Sequence, residues 1–204
     1  MPELSEGLPR PRNRSLLIAL GFEAAIGVVG IAAALLFRIP LISTLTLTVR
    51  AVLVSAAGVV VLTLMLLVVA RSSWPPFRRI REQLDRTLGV LFRNASMPAL
   101  LAVSLVAGIG EEILFRGVLQ QGLGVLMPTI LAVVLANLVF AFAHLITITY
   151  GILALLMGGV LSAVFLLSDS LIAAALTHAV YDFIALAYYL RRALRRGINR
   201  RYET

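Results

Sequence analysis

Seven ionisable side chains interrupt the apolar stretches of this sequence, and they are the groups there equipped for proton transfer or metal ligation. They are Glu23, then Glu111, Glu112 and Arg116, then His144, then His178 and Asp182. The chain has only two histidines, and both belong to this set. A charged group at the centre of a membrane helix costs about 2.5 to 3.5 kcal/mol on insertion scales, so each needs a partner or a task. In GIGEEILFRG, Glu112 and Arg116 stand four apart on one helical face, where they can pair. Glu111 then points about 100° away. With one carboxylate neutralised by the arginine, the other is left as a general base, and spacing alone does not say which is which. Such a pair also serves as a structural lock between helices, but a lock does not call for the second adjacent glutamate. Ser104, Ala107, Gly108 and Gly110 precede the pair, and residues this small let neighbouring helices close around it.

In NLVFAFAH, Asn137, Phe140, Ala141 and His144 share one broad helical face. Alone, that histidine reads as an ordinary packed residue. In THAVYDF, His178 and Asp182 lie one turn apart, either as a self-satisfying polar pair or as parts of one site. Glu23 is expected to pack, or to snorkel toward the N-terminal end of its span. Several chemistries are excluded by what is missing. The sequence holds no HExxH zinc motif, no serine in a rhomboid-type glycine setting, and no GxGD partner for Tyr181–Asp182.

The elements that must position these groups are apolar segments. Hydrophobic residues make up 60% of the 204 and charged residues 14%, with a mean hydropathy of +0.99, which excludes a soluble domain. Segments 15–37, 51–70, 97–122, 127–146, 151–167 and 170–190 approach the roughly 20 residues needed to cross a bilayer. The expectation is an all-α integral membrane protein, a bundle of about six transmembrane helices with a polar intramembrane site, in one membrane domain over 1–204. The first run is too long for a signal-peptide core and reads as an uncleaved span. With no cysteine, disulfides and thiolate metal sites are excluded.

A net charge of +8 would suggest nucleic acid in a soluble protein, but the eighteen basic residues, all arginine, gather where spans end. Arg10, Arg12 and Arg14, six arginines from Arg71 to Arg93 and six from Arg191 to Arg201 fall on one side of a six-span bundle. That side is then cytoplasmic, with both termini and the basic 71–95 loop, while Arg38 and Arg50 lie opposite. In that loop, Ile80, Leu84, Leu88 and Leu91 recur at helical spacing, so it is expected to lie along the membrane surface. There it marks topology or docks substrate or anionic lipid. The tail 191–204 is basic as well, and no nucleic-acid partner is expected.

The ordered set of Glu-Glu-x-x-x-Arg (Glu111, Glu112, Arg116), Phe-x-x-x-His (Phe140, His144) and His-x-x-x-Asp (His178, Asp182) lies on three separate apolar segments. It resembles the CPBP family of CAAX-processing and bacteriocin-processing membrane proteases, also called Abi, over residues 97 to 190. The resemblance implies a helical membrane fold, a site opening toward the cytoplasm, and an endopeptidase that cleaves a peptide or membrane-protein substrate with activated water. On that template Glu111, aided by His144, deprotonates the water. His178 and Asp182 stabilise or protonate the oxyanion, and Glu112 and Arg116 hold the first glutamate in place. No obligatory cofactor is expected, although Glu111, Glu112, His144 and His178 are also a donor set for a divalent cation, zinc first. Prenyl-protein-processing members of eukaryotes carry asparagine where this chain has Asp182, a difference that points away from CAAX substrates and toward a bacterial cell membrane. Two other classes compete: a non-catalytic scaffold or bacteriocin-immunity protein, and a proton-coupled transporter, the latter disfavoured because no span carries discontinuous-helix signals. His144 stands near the end of its span and Glu111 halfway along its own, so either the fourth span extends past Ile146 or a cavity reaches inward.

Overall fold

Apolar runs that cross a bilayer must satisfy their backbone groups internally, and in this chain they do so as helices. The computed structural model describes residues 14–92 and 95–195, and every regular element among them is helical. Five elements are long and apolar enough to span: α1 (Arg14–Phe37), α2 (Val49–Arg71), the continuous Met97–Leu126 rod, α7 (Ile148–Ser168) and α8 (Leu171–Arg195). The rod is α4 (Met97–Glu112), a π-helical segment (Ile113–Gln120) and α5 (Gln121–Leu126) in succession. Between these lie the amphipathic α3 (Pro75–Leu91) and the apolar α6 (Thr129–Ala143). The protein is therefore an all-α, multi-pass integral membrane protein. The arginines at 10, 12, 93, 196, 200 and 201, on which part of the topology argument rests, lie outside the described residues.

Helix starts follow from local chemistry. The side chains of Thr48, Ser96 and Thr147 accept hydrogen bonds from the backbone N–H three residues on, capping α2, α4 and α7. Ser170 does the same for Ala173 at 3.1 Å in the first turn of α8. Two boundaries differ from the sequence expectation. The fourth span does not run to Ile146, because Pro128 precedes its first turn and His144 leaves helical geometry at its end, so α6 has 15 residues. α8 continues through Arg191 and Arg192 to Arg195, and the basic tail begins as helix.

Small residues draw the helices together. α4 packs between α8 and α1. A Cβ on Gly108 would stand 2.7 Å from the backbone nitrogen of Ala179, and one on Gly110 would stand 2.7 Å from the carbonyl oxygen of Glu23. The two glycines that lead into Glu111 thus let α8 approach on one side and α1 on the other. α2 is tied to α8 by Thr177, whose hydroxyl lies 2.8 Å from the carbonyl of Ala173 and 3.0 Å from Ser55 Oγ.

α3 is helical as its periodicity predicts, and its apolar positions Ile80, Leu84, Leu88 and Leu91 line the interior cavity described below. Two ionic contacts hold it there. Arg81, buried, donates to the carbonyls of Val69 and Ser72 at the open end of α2, and Arg192 of α8 lies 3.0 Å from Asp85. A guanidinium on the free carbonyls of a helix C-terminus satisfies them and complements the dipole.

Because the atoms facing Gly108 are backbone, a methyl there cannot be accommodated by a side-chain rotation. Gly108→Ala is expected to lower stability by about 1–3 kcal/mol in denaturant titrations of micelle-embedded protein. Gly124→Ala, where the added methyl meets nothing within 4 Å, serves as the control and is expected to be neutral. Equal effects at both positions would refute close packing at Gly108.

Candidate active site

The site is built outward from Glu112, which has no exposed surface. Its Oε1 accepts from Arg116 NH1 at 2.8 Å and lies 2.8 Å from Nδ1 of His178. The second terminal nitrogen of Arg116 donates to Asn137 Oδ1 of α6 at 3.1 Å and to the Gly158 carbonyl of α7 at 2.9 Å. Asn137 Nδ2 donates to Ser162 Oγ at 3.0 Å, and Ser162 donates to Gln120 Oε1 at 2.7 Å. The guanidinium also stands 4.7 Å over the Phe140 ring, a further attraction for a cation removed from water. One arginine therefore neutralises Glu112 and fastens the π segment to α6 and α7. π-helical winding begins at the residue after Glu112, a departure from α geometry that is frequent at functional sites.

Both histidines are held by Nδ1. A carboxylate accepts and does not donate, so His178 presents Nδ1–H to Glu112 and turns Nε2 the other way. His144 presents Nδ1–H to the Phe140 carbonyl at 2.8 Å, while its ring stacks on Phe140 with centroids 4.4 Å apart. The two Nε2 atoms then converge on Glu111 Oε2, at 3.6 Å from His144 and 4.0 Å from His178, and Asp182 Oδ2 lies 3.5 Å from His178 Nε2. Glu111 is 7% exposed, and nothing among the described residues hydrogen-bonds its Oε2. Adjacent glutamates are thus assigned different surroundings: Glu112 is clamped between two cationic or donor groups, and Glu111 faces the histidines and open space.

That space is a cavity of about 370 Å³. Its polar floor holds Glu111, His144, His178 and Asp182, and its walls are largely apolar, closed above by the inner face of α3. The cavity reaching inward, rather than a longer α6, resolves the difference in depth between His144 and Glu111. Zinc takes nitrogen and oxygen donors such as these, with neighbouring ligands about 3.3 Å apart around a tetrahedral ion. The 3.6 and 4.0 Å separations are wider, and among the described residues no group of three or more His, Cys, Asp or Glu side chains is arranged to hold a metal ion. As they stand these side chains do not close around zinc, and no chemical step is derived through one.

Residues 93–184 match the family described as Type II CAAX prenyl endopeptidase Rce1-like. This segment is similar to the Rce1-like family. It covers a little under half of the chain and contains all seven motif residues, Glu111, Glu112, Arg116, Phe140, His144, His178 and Asp182. No curated protein and no solved structure matches the chain.

Outside the Rce1-like segment, the structure revises the reading of Glu23. Instead of packing or snorkelling away, its side chain lines the cavity and its Oε2 is buried there without a partner among the described residues. The Gly158 carbonyl that accepts from the arginine, and the Ser162–Gln120 pair behind Asn137, were also not named from the sequence. Gln120 stands four residues after Arg116 and carried a signal, whereas Ser162 and the Gly158 carbonyl lie on a different helix and carried none.

Removing the cation from the clamp leaves a carboxylate buried without compensation, at a typical cost of about 3–5 kcal/mol. Arg116→Met is expected to unfold at correspondingly lower denaturant, and adding Glu112→Gln to it is expected to recover part of the loss. A double variant no more stable than Arg116→Met would argue against the pairing as the source.

Proposed function

We propose that the chain is a membrane-embedded endopeptidase in which Glu111 activates the water that attacks the scissile carbonyl. The observation that carries this reading is the convergence of Glu111 Oε2 with the Nε2 atoms of two histidines whose Nδ1 positions are already engaged. In the proposed reaction a water donates one proton to Glu111 while its oxygen bonds to the carbonyl carbon, with His144 orienting it. The resulting oxyanion accepts from His178 as imidazolium, a form supported by Glu112 on Nδ1 and Asp182 near Nε2. Collapse of the intermediate breaks the carbon–nitrogen bond, and the proton held by Glu111 passes to the leaving amine. Glu112, Arg116 and Phe140 take no proton and act by holding the rings and Glu111 in register.

The Rce1-like match over 93–184 supports a peptidase. The substrate we propose is a peptide or the terminal segment of a membrane protein, reaching the floor from the end that α3 covers. The arginine-rich end is then the cytoplasmic one, in a bacterial cell membrane where anionic lipid favours arginine.

The test is cleavage of membrane-anchored and prenylated reporter peptides by the purified protein, with and without chelator. Glu111→Gln is expected to lower kcat by about 10²–10⁴, the range of a general base, and His178→Ala is expected to fall alongside it. Activity that survives the chelator supports water activation by the glutamate alone, and loss with the chelator assigns the water to a metal. A folded wild type that cleaves nothing, together with a cellular function indifferent to Glu111→Gln, would replace the peptidase with a membrane scaffold or immunity protein.

A further inference from the structure

The cavity floor contains one carboxylate that the Rce1-like segment does not supply. Glu23 comes from α1, and its position is built by close packing: Gly110, the residue before Glu111, lies so near the α1 backbone that a Cβ would stand 2.7 Å from the Glu23 carbonyl oxygen and 3.2 Å from the Gly27 nitrogen. That crossing sets the Glu23 side chain into the cavity, within electrostatic range of Glu111, Asp182, His178 and His144. Its Oε2 is shut off from solvent and unpartnered among the described residues, and the same holds for Oε2 of Glu111, a side chain more than nine-tenths buried and aimed into the same space.

The charges facing the cavity do not balance. Arg116 is committed to Glu112, Asn137 and Gly158 on the far side of the clamp, and no arginine is among the residues that line the cavity. Glu23, Glu111 and Asp182 therefore share a floor on which, among the described residues that line it, the two histidines are the groups able to carry a counter-charge, with Arg116 acting on Glu111 from behind the clamp. Three carboxylates this close together in a largely apolar cavity repel one another when ionised, and a cation placed among them relieves that repulsion while an anion adds to it. Above the floor the walls are apolar, with Leu84, Leu88 and Leu186 among them. A positive group on a long aliphatic stem fits both parts, the stem along the leucines and the head at the floor.

We propose that Glu23 is a specificity-determining residue that draws a lysine or arginine side chain of the substrate peptide into this floor, beside the bond to be cut. The assignment deepens the peptidase reading and rests on it. Glu23 does not exchange protons with the reacting atoms; it sets which peptide is held with its carbonyl over Glu111.

The experiment uses the full chain in lipid nanodiscs and paired reporter peptides that differ only in lysine or norleucine, its neutral counterpart of similar shape, stepped along the positions flanking the cleaved bond. At one position the wild type is expected to show kcat/KM about tenfold or more higher for lysine, and Glu23→Gln to bring the lysine-to-norleucine ratio toward one. A merely structural role for Glu23 would lower both rates and preserve the ratio, and that result would overturn the proposal. So would a wild type that cleaves both peptides equally well at every position, while leaving the peptidase reading in place. Binding of the same fluorescent peptides separates the remaining cases. If nothing is cleaved, tighter binding of the lysine peptide that weakens about tenfold in Glu23→Gln supports the cation site apart from the peptidase reading, and equal binding of the two peptides overturns it.

Discussion

Glu112 has no exposed surface, and a carboxylate taken that far from water must be met at once by charge and hydrogen bonds. Arg116 and His178 meet it, and the arrangement of the rest of the site follows. A guanidinium buried to the same degree cannot leave its second terminal nitrogen unsatisfied, so Asn137 of α6 and the Gly158 carbonyl of α7 are drawn to it. The imidazole that donates to Glu112 is fixed in tautomer and in rotation, so its other nitrogen can point only into the cavity. Three parts of the chain remote in sequence are thereby held in one geometry by a charge pair whose own net contribution to stability is modest. Such a pair specifies an arrangement more than it stabilises one.

The polar half of this design was legible in the sequence because charges in apolar runs are rare and each demands an explanation. The four-residue spacing of Glu112 and Arg116 and of His178 and Asp182 follows from helical periodicity, which a sequence displays directly. Length and hydropathy likewise placed the spanning helices to within a few residues at most ends. What the sequence did not display are facts of proximity between distant segments. Glu23 looked like a residue near the end of its span because nothing along α1 records that Gly110 of α4 lies against its backbone. The role of Ser162 depends on a carboxamide on the preceding helix. The change to π winding after Glu112 was not read from the residues ILFRGVLQ, whose apolar and polar positions suit an α-helix as well.

The amphipathic pattern of α3 showed a helix, but not that its apolar face lines a cavity of the bundle. Periodicity gives the width of an apolar face and not the identity of what covers it. The difference lay in two residues that looked like ordinary members of a basic loop. Arg81 closes the carbonyl end of α2, and Asp85 meets Arg192 of α8, so the helix is pinned over the bundle with its leucines turned inward. Arg81 is therefore a structural residue and not simply one more basic side chain of the loop.

The shortness of α6 bears on the lipid as well as on the protein. Fifteen residues at 1.5 Å each reach about 22 Å, against a hydrocarbon layer of about 30 Å. A bilayer beside so short an element relieves the mismatch by thinning, and headgroups with their hydration settle toward the midplane. The end of α6 carries His144, so thinning at this helix would fall beside the polar floor of the cavity. Host-membrane thickness then becomes a working parameter of the protein, with thin bilayers bringing water close to the buried polar floor and thick ones straining the helix that carries the histidine.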